Sequence, residues 1–243
     1  MAVRDLLGTK LNIESEIGKA FNLDTIVISD FARIPKGSKL VCDFGCGNAA
    51  IMLYLSQKTK AKILGIELQE SRYLQAKKNI ILNHLENQLD CLNIDLKTLN
   101  LEQKADVIVS NPPFFKVNKE TKRSMDLDME IAKHELFLTL EDLVLAARKN
   151  IKHGGLFFMV HKADRLDEII INLTKYDFRI KRIRFVHPTI TSKPNQVLIE
   201  ARFKGEGYLI VEPPLIQYKN KTEYSDEMQA IYQGRSYLNE SSK

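Results

Sequence analysis

Short apolar, β-branched runs alternate with stretches of helical period along most of this chain. Leu40-Val41-Cys42-Asp43-Phe44 is a run without polar alternation until its end, the pattern of a strand buried on both faces. Lys62-Ile63-Leu64-Gly65-Ile66-Glu67 repeats it, as do Leu89 to Asp95, Ala105 to Val109 and Leu156 to Val160. Between these runs the pattern predicts helices. One begins at about Ala49. A second starts with Ser71 as its cap and places Leu74, Ile81 and Leu85 on one face. A long third helix runs from about Met129 to Lys152 and is stopped by Gly154-Gly155, and a fourth covers Arg165 to Leu173. Strands alternating with helices predict a mostly parallel sheet covered by helices on both faces.

The last two strands, Ile180 to Val186 and Val197 to Phe203, have no helix-length segment between them. A short loop joins antiparallel strands, so a seven-stranded sheet closing on an antiparallel hairpin is expected. Residues 1–38 read as a helical extension centred on Asp24 to Phe31, residues 39–218 as the main domain, and residues 219–243 as a loosely ordered polar tail. No internal repeat or low-complexity tract interrupts this organisation.

The 243 residues are 44% hydrophobic and 28% charged, an ordinary globular composition long enough for a sizeable core. No apolar run reaches the roughly 18 residues of a membrane span, and Met1-Ala2-Val3-Arg4-Asp5 lacks the apolar heart of a secretory signal. A cytoplasmic location and no membrane contact are expected. Cys42, Cys46 and Cys91 lie in apolar surroundings without a Cys or His pair to complete a zinc site, so they read as buried reduced thiols and no metal is expected.

The net charge of +5 is unevenly spread. Lys175 to Lys204 holds eight Lys or Arg against Asp177 and Glu200, a local +6 that marks either a polyanion-binding patch or a solvated pair of strands. Lys181, Arg182, Arg184 and Lys193 are the candidates for contact with the phosphates of such a polyanion. Alternation along Ile180 to Val186 prevents them all from sharing one face.

Candidate chemistry clusters at the carboxyl ends of the strands, where open α/β sheets bind ligands. Asp43-Phe44-Gly45-Cys46-Gly47-Asn48 offers a tight turn whose glycines let backbone N–H groups approach a ligand. Glu67, about twenty residues on, can accept both hydroxyls of a ribose, and Asp95 can meet an adenine amino group. Gly45-x-Gly47-x-x-Ala50 also satisfies a relaxed dinucleotide fingerprint, so a nicotinamide cofactor and an oxidoreductase stay open. A carboxylate at Asp43 would repel a pyrophosphate and attract a methionine ammonium, which favours S-adenosylmethionine.

Asn111-Pro112-Pro113-Phe114 ends the fourth strand. Paired prolines fix two φ angles and remove two donors, leaving carbonyls aimed outward. The Asn111 side-chain oxygen and the Pro112 carbonyl can each accept one N–H of an exocyclic amine, localising its lone pair toward a methyl donor. Phe114 can stack on the base.

The Asp-x-Gly-x-Gly and Asn-Pro-Pro-Phe pair resembles the amino-methyltransferases of Rossmann-like, class I fold. The order of segments from about residue 18 to 235 looks like the bacterial tRNA (adenine-N6)-methyltransferases that modify adenosine 37 of valine tRNA. Phe21-Asn22-Leu23-Asp24, His134-Glu135, Leu140-Glu141-Asp142-Leu143, Met159-Val160-His161, Arg165-Leu166, Phe185-Val186-His187-Pro188 and Glu212-Pro213-Pro214-Leu215 carry it. The resemblance implies an S-adenosylmethionine pocket formed by Asp43, Gly45, Cys46, Gly47, Asn48, Glu67, Leu68, Asp95, Leu96 and Asn111. It further implies that Asn111, Pro112, Pro113 and Phe114 hold the adenine, with tRNA as partner of a monomeric enzyme. Ala49 departs from the family, which often has a third glycine there, and Phe114 stands where many relatives have Tyr. His134 and Glu135 fit either packing or a substrate-facing role. Guanine-N2 RNA methylation, glutamine-N5 protein methylation and DNA adenine methylation use similar motifs; the absence of an inserted target-recognition domain counts against DNA.

Overall fold

A central β-sheet with helices on both faces organises the chain, as described by a computed structural model covering residues 2–15, 23–112, 138–220 and 222–235. In chain order the elements are β1 (Ala2–Asp5), β2 (Asn12–Ser15), α1 (Leu23–Phe31), β3 (Leu40–Phe44), α2 (Ala50–Ser56), β4 (Lys62–Glu67), α3 (Glu70–Leu82), β5 (Leu89–Asn93) and β6 (Ala105–Ser110). Then come α4 (Leu140–Asn150), β7 (Ile151–Lys162), α5 (Leu166–Lys175), β8 (Phe178–His187), β9 (Gln196–Phe203), β10 (Ile210–Val211), β11 (Leu215–Ile216) and α6 (Asp226–Tyr232).

The main sheet has the order β10-β8-β9-β7-β6-β3-β4-β5, with β11 also paired to β8. Strands β3 to β7 are parallel and β9 runs antiparallel between β7 and β8, so the expected seven strands and final hairpin are present. Two further strands of two residues each, β10 and β11, lie parallel to β8 along its outer edge. The chain builds outward from β3 through β4 to β5, then returns to place β6 on the other side of β3. That reversal opens a crevice at the carboxyl ends of β3 and β6.

Alternation splits the sheet's side chains between two cores. Val41, Val107 and Phe158 pack under α1, α2 and α6, with Ile28, Leu53 and Met228. Cys42, Ile108 and Phe157 face the other way, against Val144 of α4 and Ile169 of α5.

Four details depart from the sequence expectations. The N-terminal segment is not purely helical: β1 and β2 form a small antiparallel ribbon ahead of α1. Helix α3 begins at Glu70, with Ser71 inside it and Gln69 as an N-cap lacking a side-chain bond, and it presents Gln75, Ala76, Asn79 and Ile80 inward. Leu74 and Ile81 are exposed. The reason is the ribbon: Asn79 Oδ1 accepts the Glu14 N–H at 2.7 Å, and Gln75 Nε2 and Asn79 Nδ2 donate to the Glu14 carbonyl. Backbone of β2 thus needs polar partners on the face where a periodic reading puts leucines.

Helix α4 ends at Asn150 rather than at the glycines, and the part of the predicted helix before residue 138 lies outside the described residues. Thr139 and Asp142 form a capping box at its start. Buried Asn150 closes its end, accepting from Leu101 N at 2.7 Å and donating to the Leu99 and Ala146 carbonyls. Gly154 and Gly155 lie inside β7, at a register shift where Ala105 pairs Ile151 but Val107 pairs Leu156. Gly154 has φ 74°, and a Cβ on Gly155 would stand 3.1 Å from the Asp106 carbonyl oxygen, so the bulge excludes larger residues. Finally, the segment after residue 219 is not all loose tail. Ser225 caps α6 through the Met228 N–H, and Met228 and Ile231 are buried in the core.

Candidate active site

The register of the sheet brings the candidate residues level with one another. Phe44 pairs with Ile66 on one side and Ser110 on the other, and Glu67 pairs with Asn93. The next residues outward are Gly45 from β3 and Asn111 from β6. Ser110 Oγ donates to the Phe44 carbonyl at 2.8 Å and locks the two strand ends together. Asp43, Gly45, Glu67, Asp95 and Asn111 therefore share the carboxyl edge at and beside the β3–β6 crevice.

The glycine turn is fixed from below. Gly45 N and Cys46 N both donate to the Ile66 carbonyl, at 2.9 and 3.1 Å. Glu67 grips the turn with one carboxylate oxygen on Gly47 N at 2.8 Å and its own helix entry with the other, on Gln69 N at 2.9 Å. Each oxygen keeps a second lone pair for a ribose hydroxyl. Gly45 and Gly47 have φ of 77° and 55°, and a Cβ on either would meet no heavy atom within 4 Å. Open space above a positive-φ turn is a cradle that a ligand can enter and a side chain would fill.

Ala49 ends the turn at φ 69°, the left-handed conformation that costs a non-glycine residue about 1–2 kcal/mol. The third-glycine position is thus a strained one here, and α2 starts one residue later than expected, at Ala50. Buried Asn48 has its carbonyl held by Asn79 Nδ2 at 2.9 Å.

Asp43 is fully buried, and among the described residues neither of its carboxylate oxygens has a hydrogen-bond partner. Burial, followed by the neighbouring negative charge of Glu67, pushes its pKa well above the usual carboxylate range. An orphaned buried carboxylate under an open glycine cradle matches a cationic ligand group such as an amino-acid ammonium. It does not match a pyrophosphate, which removes the support for a nicotinamide dinucleotide.

Asp95 lies two residues beyond β5. Its Oδ1 accepts the Lys97 N–H at 2.8 Å, its Oδ2 stands 3.9 Å from Lys97 Nζ, and Leu96 beside it is buried. Leu68 is exposed at the same edge. Asn111 is half-buried and Pro112 buried; Pro113, Phe114, His134 and Glu135 lie outside the described residues.

Two supports were not legible in the sequence. Asn93 Nδ2 donates to the Glu67 and Leu68 carbonyls, both at 2.9 Å, and so shapes the turn that carries Glu67. Asn79 braces the glycine turn from α3. A polar residue on the inward face of a helix was the only available signal for it.

The basic stretch is divided by its own strand. β8 runs from Phe178 at the sheet's amino edge to His187 at the carboxyl edge, a span of roughly 30 Å. Lys193, exposed in the loop after β8, shares the edge that carries Asp43 and Asn111. Arg182 and Arg184 are corrected: both are turned inward. Arg182 Nε donates to buried Glu200 at 2.9 Å, its two other nitrogens reach Glu212 and the Phe31 carbonyl, and its guanidinium lies 3.8 Å over the Phe31 ring. Arg184 is 4% exposed and bonds the Pro213 carbonyl and Glu227. Neither can give its charge to a phosphate without dismantling these pairs. Lys181 Nζ donates to the Glu206 and Tyr208 carbonyls, toward the amino edge.

Among known proteins, the methyltransferase small domain family matches residues 25–174. A Phocaeicola vulgatus protein named tRNA1(Val) (adenine(37)-N6)-methyltransferase is 24% identical, over 89% of this chain and 89% of its own. Its namesake from Bacteroides thetaiotaomicron is 26% identical over 86% of each. A solved structure, a predicted O-methyltransferase from Agrobacterium tumefaciens, superposes with a TM-score of 0.68 at 16% identity, covering 88% of this chain and 97% of that one. At that identity the likeness speaks for the fold alone.

Proposed function

We propose, since this chain belongs to the methyltransferase small domain family, that it transfers a methyl group from S-adenosylmethionine to the N6 amino group of an adenosine in tRNA. The observation that carries this reading is the pairing, at one crevice, of an orphaned anionic pocket at Asp43 with Asn111-Pro112 at the end of the next strand. The names of relatives that span nearly the whole chain support adenosine 37 of valine tRNA as the target.

When bound, S-adenosylmethionine supplies an electrophilic methyl carbon on a sulfonium. Asp43 accepts the ammonium of its methionine part, the Gly45–Gly47 turn leaves room for the chain, Glu67 takes the ribose hydroxyls and Asp95 the adenine amine. Cys46, Asn48, Leu68 and Leu96 complete the walls. The target N6 is a poor nucleophile because its lone pair is delocalised into the ring. Asn111 and the Pro112 carbonyl each accept one of its N–H groups, which favours a pyramidal nitrogen and aims the lone pair. No strong base is needed, because the proton is acidic once nitrogen has become cationic and can pass to water. In this reading Phe114 stacks on the base, Pro113 belongs to the same motif, and Lys193 supplies a phosphate contact at the edge that carries Asn111.

A base in an anticodon loop is already partly unstacked, so presenting it costs a few kcal/mol or less. Three buried free thiols fit a reducing compartment such as the cytoplasm. The test is to incubate bulk RNA from cells lacking the gene with the protein and labelled cofactor, then identify the labelled nucleoside by mass spectrometry. N6-methyladenosine in valine tRNA is expected, and Asn111→Ala should lower kcat far more than it weakens RNA binding. Label in N2-methylguanosine or in protein glutamine would overturn the substrate assignment.

A further inference from the structure

At the amino edge of the sheet, opposite the cofactor cradle, the loop leading into β3 and the turn from α2 to β4 enclose a groove of about 690 Å³. Its lining, residues 34–39 and 56–62, contains Lys36, Lys39, Lys58, Lys60 and Lys62 and no Asp or Glu. Two of these ammonium groups are occupied by the fold. Lys58 Nζ donates to the Ser29, Asp30 and Ala32 carbonyls, at 2.6, 2.8 and 3.4 Å, and so closes the carboxyl end of α1. Lys62 Nζ donates to the Asn87 carbonyl.

Lys36, Lys39 and Lys60 are different. All three are exposed, and among the described residues no carboxylate pairs with them. Other surface lysines either stand against an acid, as Lys77, Lys97, Lys152, Lys175 and Lys219 do, or are scattered singly; these three line one concavity. The carboxylate that reaches this loop, Asp106, accepts the Lys39 and Leu40 N–H groups through Oδ2 and is neutralised by Lys152 at Oδ1. The groove is therefore a concave, unneutralised cluster of positive charge, held open by a lysine that the fold itself consumes.

We propose that this groove binds the phosphate backbone of the RNA substrate, at a point remote from the reacting base. The inference rests on the reading of this protein as an RNA methyltransferase. Strands of five or six residues separate the two edges by roughly 20 Å, a gap that a folded tRNA spans and a few nucleotides centred on the target do not. Each phosphate seated there releases condensed counterions, which makes the contact independent of sequence and strongly dependent on salt. The groove would then select for a long, structured RNA, while the crevice at the carboxyl edge selects the base.

The test uses Lys36→Gln, Lys39→Gln and Lys60→Gln together in the full chain, with S-adenosylhomocysteine affinity as the check on folding. Binding of a tRNA transcript, followed by fluorescence anisotropy across a salt series, should lose about two to three units of salt slope. KM for methylation of the transcript should rise tenfold or more with kcat unchanged. For a five-nucleotide RNA centred on the adenine, kcat/KM should not move. An unaltered salt slope overturns the proposal, as does an equal loss on both RNAs. If the parent protein shows the groove-dependent slope but forms no N6-methyladenosine, the substrate assignment fails and the groove stands.

Discussion

Replacing Asp43 by Asn isolates the charge that the cofactor pocket is built around, because the amide has the same shape and no charge. Asp43 is fully buried with no hydrogen-bond partner among the described residues, so its ionised form is a standing cost. The amide spares the chain the cost of neutralising that carboxyl on folding but leaves its own hydrogen bonds unmet, so the free protein should gain about 1–2 kcal/mol. For a chain of this length each kcal/mol moves Tm by roughly 2–4 °C, so a rise of roughly 2–8 °C is expected by scanning calorimetry. The same change should weaken S-adenosylhomocysteine, which retains the ammonium, by the roughly 1.5–3 kcal/mol of a charge-assisted hydrogen bond, or roughly 10- to 150-fold in Kd.

Stability and affinity therefore move in opposite directions, which mere loss of packing cannot produce. The pH dependence gives a second reading. Burial raises the folded pKa of Asp43 above its unfolded value, so the free native chain holds a proton that the unfolded chain loses, and stability falls as pH rises above the ordinary aspartate range. Binding a cation expels that proton, so affinity should climb with pH in the parent and be flat in Asp43→Asn. A variant that binds S-adenosylhomocysteine as tightly as the parent, or melts at a lower temperature, would refute this account of the pocket.

Three further outcomes are expected. Glu67→Gln keeps an oxygen for Gly47 N but sets its NH2 against Gln69 N–H and loses the charge facing the ribose, so it should weaken cofactor binding by calorimetry with a small fall in Tm, whereas Glu67→Ala loses both turn contacts and should lower Tm further. Glu200→Gln removes one of two carboxylates from Arg182, which keeps Glu212, and should cost about 1.5–3 kcal/mol in urea unfolding; a loss under about 0.5 kcal/mol would show that the pair contributes little. Burial, with the nearby charge of Arg165, lowers the pKa of His161 from 6.5 to about 4, so stability should drain away as pH falls through that window. About 3 kcal/mol should be gone by pH 4, and His161→Gln should abolish that component of the acid slope in a pH series of urea titrations.

The middle of the sheet was legible because β3, β6 and the outer half of β7 are buried on both faces and their sequences are nearly unbroken apolar runs, a signal that neighbouring elements do not modify. The cofactor edge was legible for a related reason: Asp43, Glu67 and Asp95 are acids that interrupt or end such runs. The face of α3 was not legible, because it depends on hydrogen-bonding needs of a ribbon 65 residues away in sequence. Charge was the least transferable signal. Arg182 and Arg184 contribute to the local count in the sequence, yet the fold neutralises Arg182 with Glu200 and Glu212 and Arg184 with Glu227, while the unpaired lysines of the amino edge sit in two separate short segments that no sequence window joins.

The clasp at Glu200 also sets a timetable. Its carboxylate holds Arg33, 167 residues earlier in the chain, together with Arg182, whose guanidinium covers Phe31 at the end of α1. At about 5–20 residues per second, the ribosome needs roughly 8–30 s after making Arg33 to deliver its partner. Until then α1, with Ile26, Val27, Ile28 and Phe31, lacks the Arg182 guanidinium that covers Phe31, and it waits longer still for α6, which packs on it. The nascent chain is therefore most exposed to chaperones and to aggregation at its beginning, and final assembly waits for one of the last strands to be synthesised.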